Sequence, residues 1–598
     1  MSGVQEPLEI KFRLFDGSDI GPKKYAPATS VATLKESIIA QWPKDLPDVI
    51  YDNYWSTDGR NSNVGPVFYF IVVTIIGEVI PIDSELMRTP QQKWRLMTGK
   101  ENGPRTVNDL KLINAGKILE NNRTLADCRS PIFSLSLGDK VTVSVKAVTT
   151  ISKTDDSFIC ATIDWWPKEK CNYGMCPWDS SSIINLDLNN TILFNAIKAF
   201  KSLRIRLGGS LQDQVVYKVG EEPATCEDFK LDKNGLFGFS EGCLSKCRWD
   251  ELNAFFNKTG TILTFGLNAL AGRRKAPQGN NHIGDWNTTN ARQFIEYTVL
   301  KNYKIESWEL GNELSGQGVS ASVDPKQYGR DLIALKKVLS DIYKNSSTEP
   351  KILAPGGFFD AQWFADMLQT SGPGVVNGVT HHIYNLGAGV DKELIYKIQD
   401  PYYLDQIVQT YNDIETIIQD FGPWSAAWVG ESGGAYNSGG KDVSNTFADS
   451  FCALLWHRLM GPGVLHTTHN GSPYLRAYAH CSKQKNGVTL LLVNLSNSTS
   501  FDVSVVSDLN LYPPKIGRSL ASVQEKGQRE EYHLTPQGGN IQSRVMLLNG
   551  QPLNLTCSGD IPEMYPFIAD AAAPLYIAPH SIAFVSFEDF RAPACAKN

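Results

Sequence analysis

Two carboxylates in this chain sit where chemistry could be done with them. The run IESWELGNEL (305–314) is strand-like and ends in Asn312-Glu313, and AWVGESGG (427–434) is strand-like and ends in Glu431. Glycines flank both (Gly311, Gly430, Gly433, Gly434), and a residue without a side chain lets backbone approach a ligand closely. A carboxyl pair of this kind suits glycoside hydrolysis with retention. One group attacks the anomeric carbon, and the other protonates the leaving oxygen and then activates water, with about 5–5.5 Å between them. Their surroundings must push the two pKa values apart, so that one is ionised while the other keeps its proton. Taken singly, Glu313 could cap a helix and Glu431 could be a solvated loop charge. Both follow apolar runs and both are flanked by Gly, and together they read as a pair.

A scaffold must bring them face to face. Eight short apolar runs recur, at 158–163, 202–207, 262–267, 305–310, 352–355, 378–383, 426–429 and 463–466, with helical stretches such as 331–343 and 404–420 between them. Eight βα units over about 310 residues predict an α/β fold, a (β/α)8 TIM barrel whose working groups stand at strand C-termini. Glu313 and Glu431 then close strands 4 and 7. A doubly wound sheet is the alternative, but it wants a Gly-rich phosphate turn after its first strand, and none follows there. Beyond residue 474 only short strands remain (YLRAYAH, VTLLLVNLS, FDVSVVS, SRVMLLNG, IAFVSF). They predict a C-terminal β-sandwich, joined by the strictly alternating VTVSVKAVTT of 141–150.

Composition narrows the class. The 598 residues are 42% hydrophobic and 20% charged, which excludes wholesale disorder. Lys+Arg 57 against Asp+Glu 63 gives −6, so nucleic acid is not an expected partner. Eleven cysteines include the close pairs Cys171/Cys176 and Cys243/Cys247, but no His stands at zinc-ligand spacing, and disulfides or buried thiols are the expectation. Sequons begin at Asn122, Asn189, Asn257, Asn287, Asn345, Asn470, Asn494, Asn497 and Asn554. With the cysteines they favour a secreted, cell-wall or vacuolar/lysosomal history for residues 150–598. The start, MSGVQEPLEIKFRLFDG, has no apolar core and does not read as a signal peptide. Oligomeric state is left open.

The first 133 residues have another texture. Residues 7–46 read strand, Asp-Gly turn, strand, helix, and KLINAGKILENNRTLADC (111–128) reads strand, Gly turn, strand, short helix. These stretches resemble a ubiquitin-like β-grasp, most closely the plant membrane-anchored ubiquitin-fold proteins, over about 7–47 and 100–133. Residues 48–99 interrupt that grasp, and the C-terminal prenylation Cys such proteins use is not seen. Within the interruption, VGPVFYFIVVTIIGEVIPI (64–82) is a borderline membrane span that carries Gly77, Glu78 and Pro81, where a span wants about 20 clean apolar residues. Its β-branched content fits a buried strand equally well, and peripheral membrane association is the other reading. The expected domains are therefore an interrupted β-grasp (1–133), a barrel (151–474) and a sandwich (475–598 with 140–150).

The segments ICATIDWWP, LRIRLGGS, WELGNEL, GVTHHIYNLG and WVGESGGAY, in that order, resemble the heparanase-type family 79 glycoside hydrolases, most closely the plant heparanase-like β-glucuronidases, over about 140–598. The resemblance implies Glu313 as acid/base and Glu431 as nucleophile. It implies that Asn312 bonds the sugar 2-OH, that Arg206 pairs with Glu431, and that Asp164 contacts sugar hydroxyls. His382 and Tyr384 share a strand face by period two, so His382 would line the subsite and Tyr384 would donate to the nucleophile. Trp165 and Trp166 could stack on a pyranose or simply pack. A loop after the nucleophile, here Ala435-Tyr436-Asn437-Ser438-Gly439-Gly440, would offer backbone N–H groups to a uronate. The animal enzymes carry Gly at the Asn437 and Ser438 positions, so the subsite here is expected to be narrower. Tyr478 is a second candidate for the same carboxylate. The implied activity is a retaining exo-β-glucuronidase on glucuronides or glucuronic-acid-bearing glycans, without metal or cofactor. The rival readings are a β-glucosidase- or xylosidase-type barrel enzyme and a non-catalytic ubiquitin-like or sugar-binding fusion. Endo-action on a polysulfated chain would want a strongly basic cleft, and runs such as Arg273-Arg274-Lys275 are too short to supply it.

Overall fold

The computed structural model describes residues 138–220, 226–450, 452–508 and 527–596, and, before them, the backbone of five strands together with Thr33 and Glu36. The chain forms two compact units, Met1–Ser136 and Leu137–Asn598.

In the first unit the strands run in the order Asp19–Tyr25, Leu8–Arg13, Tyr69–Ile76, Leu110–Asn114, Lys117–Leu119. The two expected hairpins are antiparallel pairs. Tyr69–Ile76 lies inside the apolar run read as a borderline span. It is a strand, antiparallel to Leu8–Arg13 and parallel to Leu110–Asn114. Its sequence YFIVVTII is almost wholly aromatic and β-branched, the composition that favours a pleated sheet over a helix. Among the described residues no helix is long and apolar enough to cross a membrane. The short helix expected before Cys128 lies outside the described residues.

The second unit holds a near-closed parallel barrel. Its strands are β1 (Cys160–Ile163), β2 (Arg204–Leu207), β3 (Ile262–Leu267), β4 (Ser307–Leu310), β5 (Lys351–Phe358), β6 (Gly378–Ile383) and β7 (Ala426–Ser432), hydrogen-bonded in chain order. Helices α1 (Thr191–Lys198), α2 (Lys246–Thr259), α3 (Thr289–Leu300), α4 (Pro325–Ile342), α5 (Ala361–Ser371) and α6 (Ile407–Phe421) fall between successive strands. Their starts are written in the sequence. The side chains of Asn190, Ser245, Asp324 and Asp360 accept N–H groups of the first turns of α1, α2, α4 and α5. The layer between strands and helices is aromatic: Trp249, Phe265, Phe294 and Trp308 are buried and packed ring against ring.

The eighth expected run, 463–466, is placed differently. It lies within Met460–His469, whose edges pair with the strands Asp139–Lys153 and Leu475–Ser482 of a second sheet. Both edges of that strand are occupied there, so the barrel has seven hydrogen-bonded strands among the described residues. The second sheet has eleven strands among the described residues. Asp139–Lys153 sits inside it, antiparallel to Met460–His469 and parallel to Phe501–Ser507. Its alternation is real: Val141, Val143, Val145 and Ala147 are buried, while Thr142 and Lys146 are exposed. The short strands Gln551–Pro552, Phe567–Asp570 and Leu575–Ile577 were not foreseen. The longest strand not foreseen is Gln528–Pro536, because QREEYHLTP looks like surface. Its charges satisfy each other instead, Arg529 Nε donating to Glu531 at 2.6 Å and His533 lying 2.7 Å from the same carboxylate.

Among the described residues three disulfides are present, Cys171–Cys176, Cys226–Cys243 and Cys481–Cys595. The close pair Cys243/Cys247 is therefore not a unit: Cys243 joins Cys226, and Cys247 is free and exposed.

Candidate active site

The site is built at the C-terminal ends of the barrel strands, and two irregularities shape it. In β5 the pairing slips between Pro355 and Gly357, so Gly356 bulges at φ 59, and its carbonyl accepts the Glu313 N–H at 2.7 Å. A β-carbon on Gly356 would stand 2.9 Å from the Glu309 carboxyl, so glycine is needed there. In β6 a second slip after His381 brings His382 into register with Glu431 rather than with Gly430. Glu313 lies just past β4 on a left-handed residue, φ 54, and is almost fully buried.

At the centre Arg206, on β2 and buried, uses its whole fork. Nε donates to Glu309 at 2.6 Å, one terminal nitrogen donates to Glu431 at 3.1 Å, and the other donates to the Asn312 side-chain oxygen at 2.8 Å. The bond to Asn312 Oδ1 fixes which way that amide points. Its Nδ2 is left buried without a partner, a free donor aimed into the site. Tyr384 donates to Glu431 at 2.6 Å. His382 Nδ1 is 3.1 Å from Glu313 Oε1 and 3.6 Å from Glu431 Oε2. One donor atom from each of Glu313, His382 and Glu431 falls within 4.8 Å of the others. That spacing alone would also admit a cation, but the oxygens of Glu431 already receive Arg206 and Tyr384.

These contacts bear on the ionisation of Glu431 and of the groups around it. Burial alone would raise Glu431, yet the charges of His382 and Arg206, with the bonds from Tyr384 and Arg206, hold it below the ordinary carboxylate range. Burial and then the Glu431 charge push Tyr384 up, so its phenol stays a donor. Asp164, at the end of β1, goes the other way: burial first and Glu431 second push it well above the carboxylate range. Gly209, at φ 127, lets that carboxyl come close, because a β-carbon there would sit 2.2 Å from it. Asp213 is pushed up to about 7 by burial, although it accepts the N–H groups of Ala269 (2.7 Å) and Asn312 (2.8 Å).

The family model for glycosyl hydrolase family 79, N-terminal domain, matches residues 140–456. The chain belongs to this family. It is a glycoside hydrolase. Heparanase-like protein 2 of Arabidopsis thaliana is 48% identical over 524 residues, covering 78% of this chain and 97% of that protein. Baicalin-beta-D-glucuronidase of Scutellaria baicalensis is 37% identical over 514 residues, covering 77% and 94%. A second model, described as ubiquitin-2 like Rad60 SUMO-like, matches residues 6–52 and 84–158. Membrane-anchored ubiquitin-fold protein 1 of Oryza sativa subsp. japonica is 45% identical over 147 residues, covering 25% of this chain and 78% of that protein. The two models overlap over 140–158.

Within this family 79 chain, Glu313, Glu431, Arg206, Asn312, His382 and Tyr384 are brought into direct contact, and Asp164 lies close enough for the Glu431 charge to push its pKa up. Tyr436, Asn437 and Ser438 form the loop that leaves β7. The Tyr436 N–H is taken by Gly387 at 2.9 Å, whereas the N–H groups of Asn437, Ser438 and Gly439 have no acceptor among the described residues. Tyr478 stands apart, half-exposed on the strand Leu475–Ser482, two residues from Arg476, which pairs with Asp405. Trp165 and Trp166 are core. Trp165 is fully buried against Phe265, and Trp166 packs on Phe237 and Phe239. Two residues escaped the sequence reading. Glu309 looks like an ordinary strand residue, yet in SWEL period two puts it on the face opposite Trp308 and Leu310. Asp213 hides in the polar run QDQ after β2.

Proposed function

We propose that this family 79 hydrolase is a retaining exo-β-glucuronidase acting on β-glucuronides or glucuronic-acid-bearing glycans. The observation that carries the mechanism is the closeness of Glu313 and Glu431, with oxygens inside 4.8 Å. An inverting enzyme keeps its carboxyls about 6.5–9.5 Å apart to admit a water, and this gap leaves no such room. Glu431, held ionised by Arg206 and Tyr384, attacks the anomeric carbon. The bond to the aglycone oxygen breaks as Glu313 gives that oxygen its proton. Water then attacks the glycosyl-enzyme, Glu313 takes a proton from it, and Glu431 leaves as carboxylate. The free Asn312 Nδ2 is the donor for the sugar 2-OH, a contact that strengthens at the transition state. The three unpartnered N–H groups of Asn437, Ser438 and Gly439 are the donors for the substrate carboxylate. The likeness to baicalin-beta-D-glucuronidase supports the same substrate class.

Three disulfides and a set of exposed sequons support passage through an oxidising compartment. Asn494 would stay unglycosylated there, because it is buried with its Nδ2 donating to the Thr499 and Ala578 carbonyls.

The deciding experiment is hydrolysis of an aryl β-D-glucuronide beside the matching glucoside, with the product anomer read by NMR. Glucuronide turnover giving the β-anomer first is expected. Equal turnover of both sugars would remove the uronide assignment, and the α-anomer first would remove the mechanism. Glu431→Gln should lower kcat at least about 10³-fold, since covalent catalysis then loses its nucleophile.

A further inference from the structure

The loop that leaves β1 is built unlike the others. It departs and returns at Trp166 and Trp178, whose rings lie 6.5 Å apart, and the Lys170 ammonium sits 4.1 Å over the Trp166 ring. Between them the chain folds into a minute hairpin. Asn172 and Met175 exchange backbone bonds of 2.8 and 2.9 Å around Tyr173-Gly174, both left-handed at φ 53 and 78. The Cys171–Cys176 disulfide closes the hairpin's base. Cross-linked over so few residues and footed on two packed indoles, it has little freedom left.

Its tip reaches the loop after β7. Asn172 Nδ2 donates to Ser438 Oγ at 2.8 Å, and Asn437 Nδ2 donates to the Tyr173 hydroxyl at 3.0 Å. In the sheet order β1 and β7 are the two outer strands, with no ladder between them. The hairpin therefore spans, at the catalytic end, the seam that backbone hydrogen bonds leave open. The loop it holds needs holding. Asn437, Ser438 and Gly439 have φ 58, 71 and 72, a conformation natural to Gly, tolerated by Asn and unfavourable for Ser. The other side of the loop is tied by Tyr436 to Gly387 and Gly389, in the loop after β6.

We propose that the 171–176 hairpin is the specificity element of this enzyme, fixing Asn437, Ser438 and Gly439 so that their N–H groups stay presented to a substrate carboxylate. The proposal rests on the glucuronidase reading above. Asn172 and Tyr173 are positioning residues: they touch the loop and not the reacting sugar. The hairpin thus acts on binding of the uronide and leaves the Glu313–Glu431 chemistry alone.

The test uses the full chain with two variants, Asn172→Ala/Tyr173→Phe and Cys171→Ser/Cys176→Ser. For each, kcat and KM are measured on an aryl β-D-glucuronide and on the matching glucoside, with a thermal melt alongside. The glucuronide KM is expected to rise about five- to tenfold, the ordinary worth of two exposed hydrogen bonds, with kcat and the glucoside kcat/KM within about twofold of the parent. An unchanged glucuronide-to-glucoside ratio overturns the proposal, and so does an equal loss on both sugars. If the cysteine variant does not fold, Tyr173→Phe alone, which removes one oxygen, carries the test. A parent enzyme that does not prefer the glucuronide sinks the substrate reading and the hairpin's role with it. A parent that prefers it, beside variants that still do, sinks the hairpin's role only.

Discussion

Arg206 shows how much one residue can organise. Its fork holds Glu309, Glu431 and Asn312 at once, so the proposed nucleophile and the amide proposed to hold the sugar are fixed by the same group. Glu309 is fully buried, and among the described residues its side chain is hydrogen-bonded to Arg206 alone. Glu309→Gln should keep the shape while removing the charge that anchors the guanidinium. We expect kcat to fall about tenfold with KM little changed, the worth of one charge-assisted bond, as steady-state kinetics would show. Tyr384→Phe acts on pH instead. The bond from Tyr384 helps to lower the Glu431 pKa; without it that pKa rises, and activity, which under the proposed mechanism needs Glu431 ionised, is lost at a higher pH as the medium is acidified. The acid limb of kcat/KM should move up by about one pH unit, and an unmoved limb would contradict the assignment. At this scale the sequence was legible where a polar residue closed an apolar run, as Glu313 and Glu431 do. It was opaque where a contact joins distant segments: nothing local to Asn172 announces Ser438.

The helices were legible as stretches and not at their ends: the one read from 331 begins at Pro325, and the one read from 404 begins at Ile407. Asn190, Ser245, Asp324 and Asp360 mark helix starts because their side chains satisfy amides that the first turn leaves free. Strand membership was harder. The apolar run at 463–466 has the composition of a barrel strand, yet which sheet claims it depends on pairing with Asp139–Lys153, more than 300 residues earlier. The bulge at Gly356 was also invisible, since a glycine in APGG says that a turn is allowed and not what it accepts. Gly356→Ala should be costly on two counts, the left-handed φ and the clash with Glu309. A stability loss of about 1–3 kcal/mol is expected, read as a lower denaturant midpoint, together with weakened activity as Glu309 is displaced.

For the molecule as a whole, the alternation of 141–150 predicted a two-faced strand, and two families match that stretch at once. In the structure it is committed to the hydrolase, between Met460–His469 and Phe501–Ser507. A chain begun at residue 138 should therefore fold and keep its activity, while one begun at 154 should lose cooperative melting, as circular dichroism would report. The same placement has a bearing on how the protein is made. Residues 139–153 leave the ribosome with the ubiquitin-like part, but the strands that will flank them follow more than 300 residues later. At about 5–20 residues per second that delay is roughly 15–60 s, during which the row Val141, Val143, Val145 has no sandwich to enter. Any early pairing with strands already made must be given up before the hydrolase can close, so a slow or truncated synthesis endangers this strand first.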